Sequence, residues 1–416
     1  MTRPAHRLPT QSSTPVVAVH RRAADRLRAG HVWVYRSDVA SAPPLAPGAL
    51  VEVADPRGRR LGSALASTAS QIALRLIARD PLAGPEALAG LIRGRLQEAL
   101  EYRCRVVRDS DAFRLVFSEA DGLPGLIVDR YHDVLTLQAL TQAFDQPALR
   151  GVVAAWLAER FPECALIERV EPRIRELEKL PPAADRVLRR RPADLDDAAA
   201  ARSIITMNGV RFHYDGLAGQ KTGLYLDQRE NYAAAEKYAG GEALDVFCYQ
   251  GGFALHLARV SEQVTAVDSS RPALEVAERN EELNRASHAG REIEWIEANA
   301  FDLLRDYAHQ GRQFSTIVLD PPAFAHSSRN QSSALRAYKE INLRALKMLR
   351  PQGTLITCCC SYHVSEAEFL DAVFSAVLDA RRTLRLLERR GAAKDHPQVL
   401  GVPETSYLKC VIAVVG

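Results

Sequence analysis

The sequence has no apolar run of about 18 residues, the length that a membrane-spanning helix requires. Residues 1–15 contain basic side chains but no apolar segment of the kind found in secretory signal peptides. These absences predict a cytoplasmic protein that does not bind membranes. We interpret residues 1–15 as a disordered tail.

Cysteine is scarce, and its spacing does not suit metal or disulfide chemistry. The chain has seven cysteines, an odd number, and none of them forms the CxxC pair of a zinc site. Disulfide frameworks are typical of small secreted proteins with an even number of cysteines. We therefore expect free thiols and no bound metal.

Lysine is missing from the first quarter of the chain, and this part is strongly basic. Residues 1–110 contain no lysine but 17 arginines and nine acidic residues, so their net charge is about +8. The net charge of the whole chain is only +3, so the remaining residues carry about −5. A genome that prefers arginine codons accounts for part of the missing lysine, but not for the segregation of charge. Arginine forms bidentate contacts with phosphate and stacks on bases. We interpret the N-terminal part as an RNA-binding region.

The N-terminal half of the chain predicts two small domains. Residues 16–80 contain short β-like segments between turn signals, a pattern typical of a small β-barrel-like module. Residues 85–200 mix helical and β-like segments and predict an α+β middle domain. Its last part, residues 171–201, is rich in Pro, Arg and Asp without a clear period, and we interpret it as a linker or an exposed insertion.

The C-terminal half alternates between strand and helix patterns. Over residues 204–416 this alternation predicts an α/β fold with a Rossmann-like, doubly wound parallel sheet. Apolar spacing predicts helices over residues 271–284 and 366–380. An antiparallel pair of strands, 384–388 and 407–414, is expected to close the domain.

A nucleotide-type cofactor site is predicted where two of these strands end. The strand at 243–247 runs into a turn with Gly251 and Gly252, and the next strand ends at Asp268, which can accept hydrogen bonds from both ribose hydroxyls. The turn lacks the GxGxxG pattern that cradles a pyrophosphate. S-adenosylmethionine contains a ribose but no pyrophosphate, so it fits this pattern. Asp245 would then orient the methionine ammonium.

The following strands are expected to complete the site. After the third strand, Asn299 can reach the adenine amine and Phe301 can pack on the ring. After the fourth strand, Asp320 is followed by two prolines, and such a rigid loop can hold a planar base beside the methyl donor. Each acid alone could equally be a helix cap or a solvated loop residue, but their placement at successive strand ends favours a common site.

Three consecutive cysteines follow the next strand, on the same edge as Asp320. Alternation along a strand places Cys358 and Cys360 on one face and Cys359 on the other. Carbon-5 of cytosine attacks a methyl sulfonium only after a thiolate has added to carbon-6, with an acid at ring nitrogen-3. A thiol beside an acid therefore suits this chemistry. For Cys358 and Cys359 we favour ordinary buried packing.

Several strings of the sequence match a known family. They are residues 32–35 (VWVY), 70–72 (SQI), 118–131 (SEADGLPGLIVDRY), 219–229 (GQKTGLYLDQR), 320–322 (DPP), 360–361 (CS), 395–397 (DHP), 403–404 (PE) and 407–409 (YLK). On these strings the chain resembles, over nearly all of residues 16–416, the bacterial family of 23S ribosomal RNA cytosine-5 methyltransferases that carry an N-terminal PUA domain. The first two strings resemble the PUA portion, an RNA-binding module.

The resemblance implies S-adenosylmethionine as cofactor, 23S ribosomal RNA as partner and Cys360 as nucleophile, with Asp320 as the catalytic acid. It also allows a homodimer. In the segment before the first strand, Arg229 could pair with the methionine carboxylate or form an internal ion pair, and Lys221 could face RNA phosphate or solvent. The expected cofactor contacts are Asp245, Phe247, Gly251, Gly252, Asp268, Asn299, Ala300, Phe301, Gln228, Arg229 and Asp320.

Two departures from the family's pattern leave alternatives open, whereas the lack of a second cysteine beside Asp320 agrees with the family. Asn299 stands where the family usually has Asp, and Tyr362-His363 replaces what is more often Ser-Gly or Ser-His-His. His363 follows the nucleophile motif and could accept a proton or lie in a solvated loop. Methylation of a guanine or adenine nitrogen would need no thiol, and a noncatalytic assembly factor would need no cofactor. The sequence names neither the target nucleotide nor the form of the RNA substrate.

Overall fold

The computed structural model describes residues 14–218, 223–288, 291–325 and 328–416. Most of the expected tail, residues 1–13, lies outside these ranges. Within them the strands form four sheets. No helix in the described ranges has both the length and the apolar character needed to cross a membrane.

The N-terminal module is a six-stranded sheet with one helix. Its elements are β1 (Val16–Val19), α1 (Arg21–Arg28), β2 (Trp33–Tyr35), β3 (Val39–Ser41), β4 (Leu50–Ala54), β5 (Arg60–Ala66) and β6 (Ile72–Ala78). The strand order is β2-β6-β5-β4-β1-β3. Only residues 36–38 separate the two edge strands along the chain, so the sheet curls until its edges approach each other. The predicted β-barrel-like shape follows from this short connection.

The middle region is a five-stranded sheet covered by helices. Its elements are α2 (Pro85–Val106), β7 (Ala112–Phe117), β8 (Leu126–Tyr131), β9 (Val134–Ala139), α3 (Gln142–Asp145), α4 (Pro147–Arg160), β10 (Ala165–Glu168), α5 (Pro172–Glu178), β11 (Arg186–Arg189) and α6 (Asp197–Ala200). The order β11-β10-β9-β8-β7 places the last strand at one edge.

The expected linker at residues 171–201 is therefore wrong in part, because it contains two helices and a sheet strand. Strand β11 shows no apolar alternation, because its arginine side chains form hydrogen bonds to residues on or next to the neighbouring strand β10. Arg186 bonds to Glu168 at 2.6 Å, and Arg189 donates to the carbonyl of Cys164 at 2.7 Å. A strand held by such contacts leaves little periodic signal in the sequence.

The first two regions pack against each other. Leu65 and Ile77 of the N-terminal sheet lie in the same apolar core as helix α2. Trp33 donates its indole N–H to Glu119 at 2.9 Å, and Ser67 donates to Glu178 at 2.6 Å. The N-terminal module is therefore docked on the middle region through both apolar and polar contacts.

The C-terminal region contains a two-stranded sheet and a seven-stranded sheet. Its elements are β12 (Arg202–Met207), β13 (Val210–Asp215), α7 (Arg229–Glu236), β14 (Glu242–Val246), α8 (Gly252–Leu257), β15 (Gln263–Asp268), α9 (Arg271–Asn284), β16 (Ile293–Glu297), α10 (Ala300–His309), β17 (Phe314–Leu319), α11 (Gln331–Met348), β18 (Leu349–Cys359), α12 (Glu366–Ala380), β19 (Leu384–Arg390) and β20 (Lys409–Val415).

The seven-stranded sheet has the order β16-β15-β14-β17-β18-β20-β19. Strands β14 to β18 run parallel and β20 runs antiparallel to both of its neighbours, which confirms the doubly wound α/β prediction and the closing pair. Helices α9 and α12 have the predicted bounds. The strand order reverses between β14 and β17, and such a reversal opens a crevice beyond the carboxyl ends of the strands.

Candidate active site

The crevice lies between the ends of β14 and β17. Register pairing aligns Val246 with Leu319, and the amide of Asp320 donates to the carbonyl of Val246 at 3.3 Å. Asp245 precedes Val246 and is fully buried. The two acids expected at these strand ends are thus brought together by the sheet.

The turn after β14 has an unusual backbone. Phe247, Tyr249 and Gly251 have φ angles of 69°, 50° and 87°, so three of five residues are left-handed and only one is glycine. Non-glycine residues in this region are strained by about 1–3 kcal/mol each, and such strain concentrates at functional sites. A Cβ on Gly251 would lie 2.8 Å from the Trp295 ring, and one on Gly252 would lie 2.5 Å from the Tyr232 ring. Both glycines are therefore required by neighbouring aromatic rings.

Asp245 is a buried carboxylate without a hydrogen-bond partner of ordinary geometry among the described residues. Burial raises the pKa of Asp245 well above its usual range, and the charges of Asp320 and Asp268 act in the same direction. The backbone amide of Ala254 is the group that opposes this rise. An uncompensated buried carboxylate is costly, and a bound cation would remove the cost.

Asp268 and Asn299 lie on the other side of the turn. The carboxylate of Asp268 accepts the amides of Tyr249 and Ser270, both at 2.9 Å. Asn299 is the N-cap of helix α10, and its Oδ1 accepts the amides of Phe301 at 3.0 Å and Asp302 at 3.3 Å. Asn299 therefore uses its only acceptor oxygen on the helix end.

Three aromatic rings line this part of the crevice. The Phe301 and Phe324 rings are 5.9 Å apart, and the Phe247 and Phe324 rings are 6.4 Å apart, measured between centroids. Phe301 remains 36% exposed, so its ring can still contact a ligand. Ala300 is buried in the core, so only its backbone could contact one.

Cys360 lies beside the loop that contains Asp320. Its thiol is half-buried, and its Sγ atom is 3.5 Å from the carbonyl oxygen of Pro321. The next residue, Ser361, is fully buried and fixes this segment. The Ser361 hydroxyl is bonded to the Tyr338 hydroxyl at 2.9 Å and accepts the Ala325 amide at 3.2 Å.

The other two cysteines of the run are fully buried, as expected for packing residues. Cys358 packs in the core on one face of the sheet and Cys359 in the core on the other face. Burial raises the pKa of Cys358 well above its usual range, with Cys410 acting in the same direction. Cys358 is therefore kept as a neutral thiol.

Comparison with known proteins shows the family of the chain. A PUA-like domain family matches residues 17–79, and an S-adenosylmethionine-dependent methyltransferase family matches residues 195–409. Ribosomal RNA large subunit methyltransferase I of Shewanella amazonensis is 38% identical over 390 residues, which cover 92% of this chain and 95% of that protein. The protein of the same name from Cronobacter sakazakii is 36% identical, with 91% and 94% covered. The chain belongs to this methyltransferase family.

Two solved structures share the fold of the whole chain. A candidate methyltransferase solved in complex with SAH has a TM-score of 0.80 at 17% identity and covers 96% of this chain and 99% of its own. A candidate SAM-dependent methyltransferase from Streptococcus mutans has a TM-score of 0.79 at 18% identity, with the same coverage. Both extend over the N-terminal, middle and C-terminal regions.

The cofactor of the family is S-adenosylmethionine, and the crevice fits it. The unpartnered carboxylate of Asp245 suits the methionine ammonium. Asp268 keeps lone pairs for ribose hydroxyls after accepting two amides, because a carboxylate offers about four acceptor sites. The exposed face of Phe301 suits an adenine ring.

Arg229 does not fit the expected contact with the methionine carboxylate. Its side chain is 3% exposed, and its guanidinium bonds to Asp395 at 3.2 Å. Asp395 is itself fully buried and also accepts the amide of Arg114 at 2.9 Å. The structure thus corrects this assignment in favour of the internal ion pair. The other cation considered in this segment, Lys221, lies outside the described residues.

Gln228 also differs from its expected cofactor role. Its Nε2 donates to Oδ1 of Asp320 at 2.9 Å, and its Oε1 accepts from Asn231 at 2.6 Å. Both ends of the amide are bonded to the protein, and the bond to Asp320 allows Gln228 to orient that carboxylate. The sequence could not show this contact, because the two residues are 92 positions apart.

Replacing Gln228 with alanine should lower the turnover number about tenfold and leave the dissociation constant of S-adenosylmethionine unchanged. The variant loses one hydrogen bond that orients Asp320, which is worth about 1 kcal/mol or slightly more. Methyl transfer and calorimetry of cofactor binding would measure the two effects. A cofactor affinity that falls together with turnover would restore Gln228 as a cofactor ligand.

Two further residues beside the crevice had no predicted role. Burial raises the pKa of Tyr225 above its usual value, and the neighbouring Tyr249 acts in the same direction. The nearby Asp320 and Cys360 raise this pKa further. Lys409 donates to the carbonyl of Ser361 at 2.9 Å. Lys409 stood in a string that carried the family resemblance, but only the sheet register reveals what it contacts.

Proposed function

We propose that the protein transfers a methyl group from S-adenosylmethionine to carbon-5 of a cytosine in 23S ribosomal RNA. The observation that carries the proposal is the thiol of Cys360, 3.5 Å from the carbonyl of Pro321 and thus beside Asp320, at the edge of the sheet where Asp245 lies. Methylation of a base nitrogen needs no thiol in this place. The relatives named above are large subunit ribosomal RNA methyltransferases, which supports the choice of RNA.

Cys360 acts as the nucleophile. Its thiolate adds to carbon-6 of cytosine, and the ring electrons shift towards carbon-5 and nitrogen-3. Asp320, oriented by Gln228, holds the proton at nitrogen-3, so that no isolated negative charge develops on the ring. S-adenosylmethionine supplies an electrophilic methyl group. Once carbon-5 holds the methyl group, solvent water takes the carbon-5 proton, and the electrons of that C–H bond restore the ring double bond and expel the thiolate. The nitrogen-3 proton then returns to Asp320.

The remaining site residues bind and orient. Asp245 holds the methionine ammonium, and Asp268 accepts the ribose hydroxyls. Phe247, Phe301 and the turn at Gly251 and Gly252 shape the adenosine end. Asn299 caps helix α10, so its contact with adenine is made by the amide nitrogen, and Ala300 contributes its backbone only.

The N-terminal module is the proposed RNA-binding part, although many of its arginines are engaged within the protein. Arg28 and Arg59 both bond to the buried Asp55, and Arg75 bonds to Glu178 at 3.1 Å. The exposed Arg22 and Arg57 are better placed to contact phosphate. A ribosomal RNA substrate implies a cytoplasmic reaction, and the homodimer stays a prediction.

The proposal is tested by identifying the methylated nucleoside. Purified protein, deuterated S-adenosylmethionine and 23S ribosomal RNA that has never been modified should yield labelled 5-methylcytidine after nuclease digestion and mass spectrometry. The same RNA incubated without protein is the control. Label on a guanosine or adenosine nitrogen would overturn the cytosine assignment and support the alternative target.

A further inference from the structure

Lys409 is a buried ammonium group at the edge of the candidate active site. Its side chain is 8% exposed, and its Nζ donates to the carbonyl of Ser361 at 2.9 Å and to that of Tyr407 at 3.0 Å. Among the described residues, no carboxylate forms an ion pair with it. Its hydrogen-bond acceptors are two backbone carbonyls.

Such a charge is costly to bury, since cations inside proteins are normally paired with an acid. Burial lowers the pKa of Lys409 from its ordinary value. The thiols of Cys359 and Cys360 oppose this effect, followed by the acids Glu366 and Glu368. The groups that most favour a charged Lys409 are therefore cysteines.

The position of Lys409 distinguishes between these two cysteines. Lys409 is the register partner of Cys359 across strands β18 and β20, but Cys359 is fully buried in the core. Cys360 is half-buried at the strand end, and the carbonyl bonded to Lys409 belongs to the residue that follows it. Only Cys360 can both respond to the charge and reach a substrate.

We propose that Lys409 is a positioning residue for the nucleophile, because its ammonium fixes the Ser361 carbonyl and its charge favours the thiolate of Cys360. The inference rests on the proposed function in taking Cys360 as the nucleophile. A nearby cation stabilises a thiolate and makes a cysteine reactive near neutral pH. Lys409 acts through Cys360 and need not touch the RNA.

The test measures the reactivity of the thiol without RNA. Full-length protein is treated with iodoacetamide over a range of pH, and alkylation of Cys360 is followed by mass spectrometry of its peptide. Lys409→Gln keeps a donor for the carbonyls but removes the charge, whereas Lys409→Arg keeps the charge. Cys104, an exposed thiol on helix α2, serves as the control within every sample.

We expect Lys409→Gln to slow the alkylation of Cys360 about tenfold at pH 7 and to move its pH profile to higher pH. Lys409→Arg should restore most of the rate, and Cys104 should react equally in all three proteins. An unchanged Cys360 profile in Lys409→Gln would overturn the proposal, since the lysine would then only tie two carbonyls together. So would a slowing that Lys409→Arg fails to restore.

This readout separates the inference from the proposed function. If the cysteine depends on Lys409 but the RNA product is not 5-methylcytidine, the proposed function fails while the contact between Lys409 and Cys360 stands. If 5-methylcytidine forms but Lys409→Gln leaves the alkylation profile of Cys360 unchanged, the proposed function stands and the role of Lys409 fails. Calorimetry of S-adenosylmethionine binding shows that each variant is folded.

Discussion

Replacing Cys360 with alanine should abolish methyl transfer to RNA, lowering the turnover number by at least ~10³-fold, as removal of a catalytic nucleophile does. Carbon-5 of cytosine gains its nucleophilic character only from the thiolate that adds to carbon-6. The two neighbouring cysteines cannot replace it, because Cys358 and Cys359 are fully buried on either side of the sheet. The binding of S-adenosylmethionine should not change, since Cys360 is not among the residues proposed to hold the cofactor.

The measurement is methyl transfer to unmodified 23S ribosomal RNA under single-turnover conditions. The matched control is Cys104→Ala, which removes an exposed thiol on helix α2 and should keep the wild-type rate. Wild-type protein should in addition form a covalent adduct with RNA that contains 5-fluorocytosine. The fluorine at carbon-5 cannot leave as a proton does, so the thiolate is not expelled.

Two results would contradict the cysteine mechanism. The first is a Cys360→Ala protein that methylates RNA at a rate near that of the wild type. The second is an adduct that maps to a residue other than Cys360. Either result would favour attack by a base nitrogen, for which the Asp320 loop alone would suffice.

The strand ends that form the site were predictable from the sequence, because they depend on local patterns that recur in parallel sheets. Each apolar strand ends in a polar residue, and parallel strands bring their ends to one edge of the sheet. Asp245, Asp268 and Asp320 were placed in the crevice on this basis alone. The reversal of strand order between β14 and β17 then puts the crevice where ligands bind.

The partners of the side chains were not predictable in the same way. Gln228 and Arg229 are adjacent in the chain, yet one bonds to Asp320, 92 residues away, and the other to Asp395, 166 residues away. Strand alternation and helix periodicity contain no information on such pairs. The two glycines of the turn show a related limit. The sequence indicates that a turn follows the strand, but it does not show that the Trp295 and Tyr232 rings lie where a Cβ on these glycines would be.

Helix α10 illustrates how a functional interpretation can hide a structural element. Asn299, Ala300 and Phe301 were read as strand-end residues facing the cofactor, and they are also the cap and first turn of a ten-residue helix. The N-cap geometry explains why Asn replaces Asp there at little cost to the fold, since both are good N-cap residues. The presence of Asn in place of Asp changes only the group that the side chain can present to a ligand, an amide NH2 donor in place of a second carboxylate oxygen.

Replacing Asp245 with asparagine should weaken the binding of S-adenosylmethionine roughly 10- to 100-fold, because a hydrogen bond between charged groups is worth about 1.5–3 kcal/mol. The substitution keeps the shape of the side chain and removes only its charge. Titration calorimetry near pH 7.5 measures the loss. Asp302→Asn, on the exposed face of helix α10, removes an equivalent charge without entering the crevice and should bind as the wild type does.

The same substitution should stabilise the protein when no cofactor is bound. Burial raises the pKa of Asp245 in the folded chain, so the folded chain holds this proton more tightly than the unfolded chain. The contribution of Asp245 to stability therefore falls as the pH rises from about 4, the ordinary aspartate value, to the raised pKa. Asparagine does not titrate, and its contribution stays constant over this range.

Thermal unfolding of the cofactor-free proteins should thus give a higher midpoint for Asp245→Asn than for the wild type at pH 7.5, with the difference vanishing towards pH 4. S-adenosylmethionine should raise the midpoint of the wild type strongly and that of the variant weakly, because stabilisation by a ligand follows its affinity. A variant that is less stable at every pH and binds the cofactor normally would show that Asp245 serves the fold. The opposite signs expected for stability and affinity both follow from a buried carboxylate whose proposed partner is the methionine ammonium.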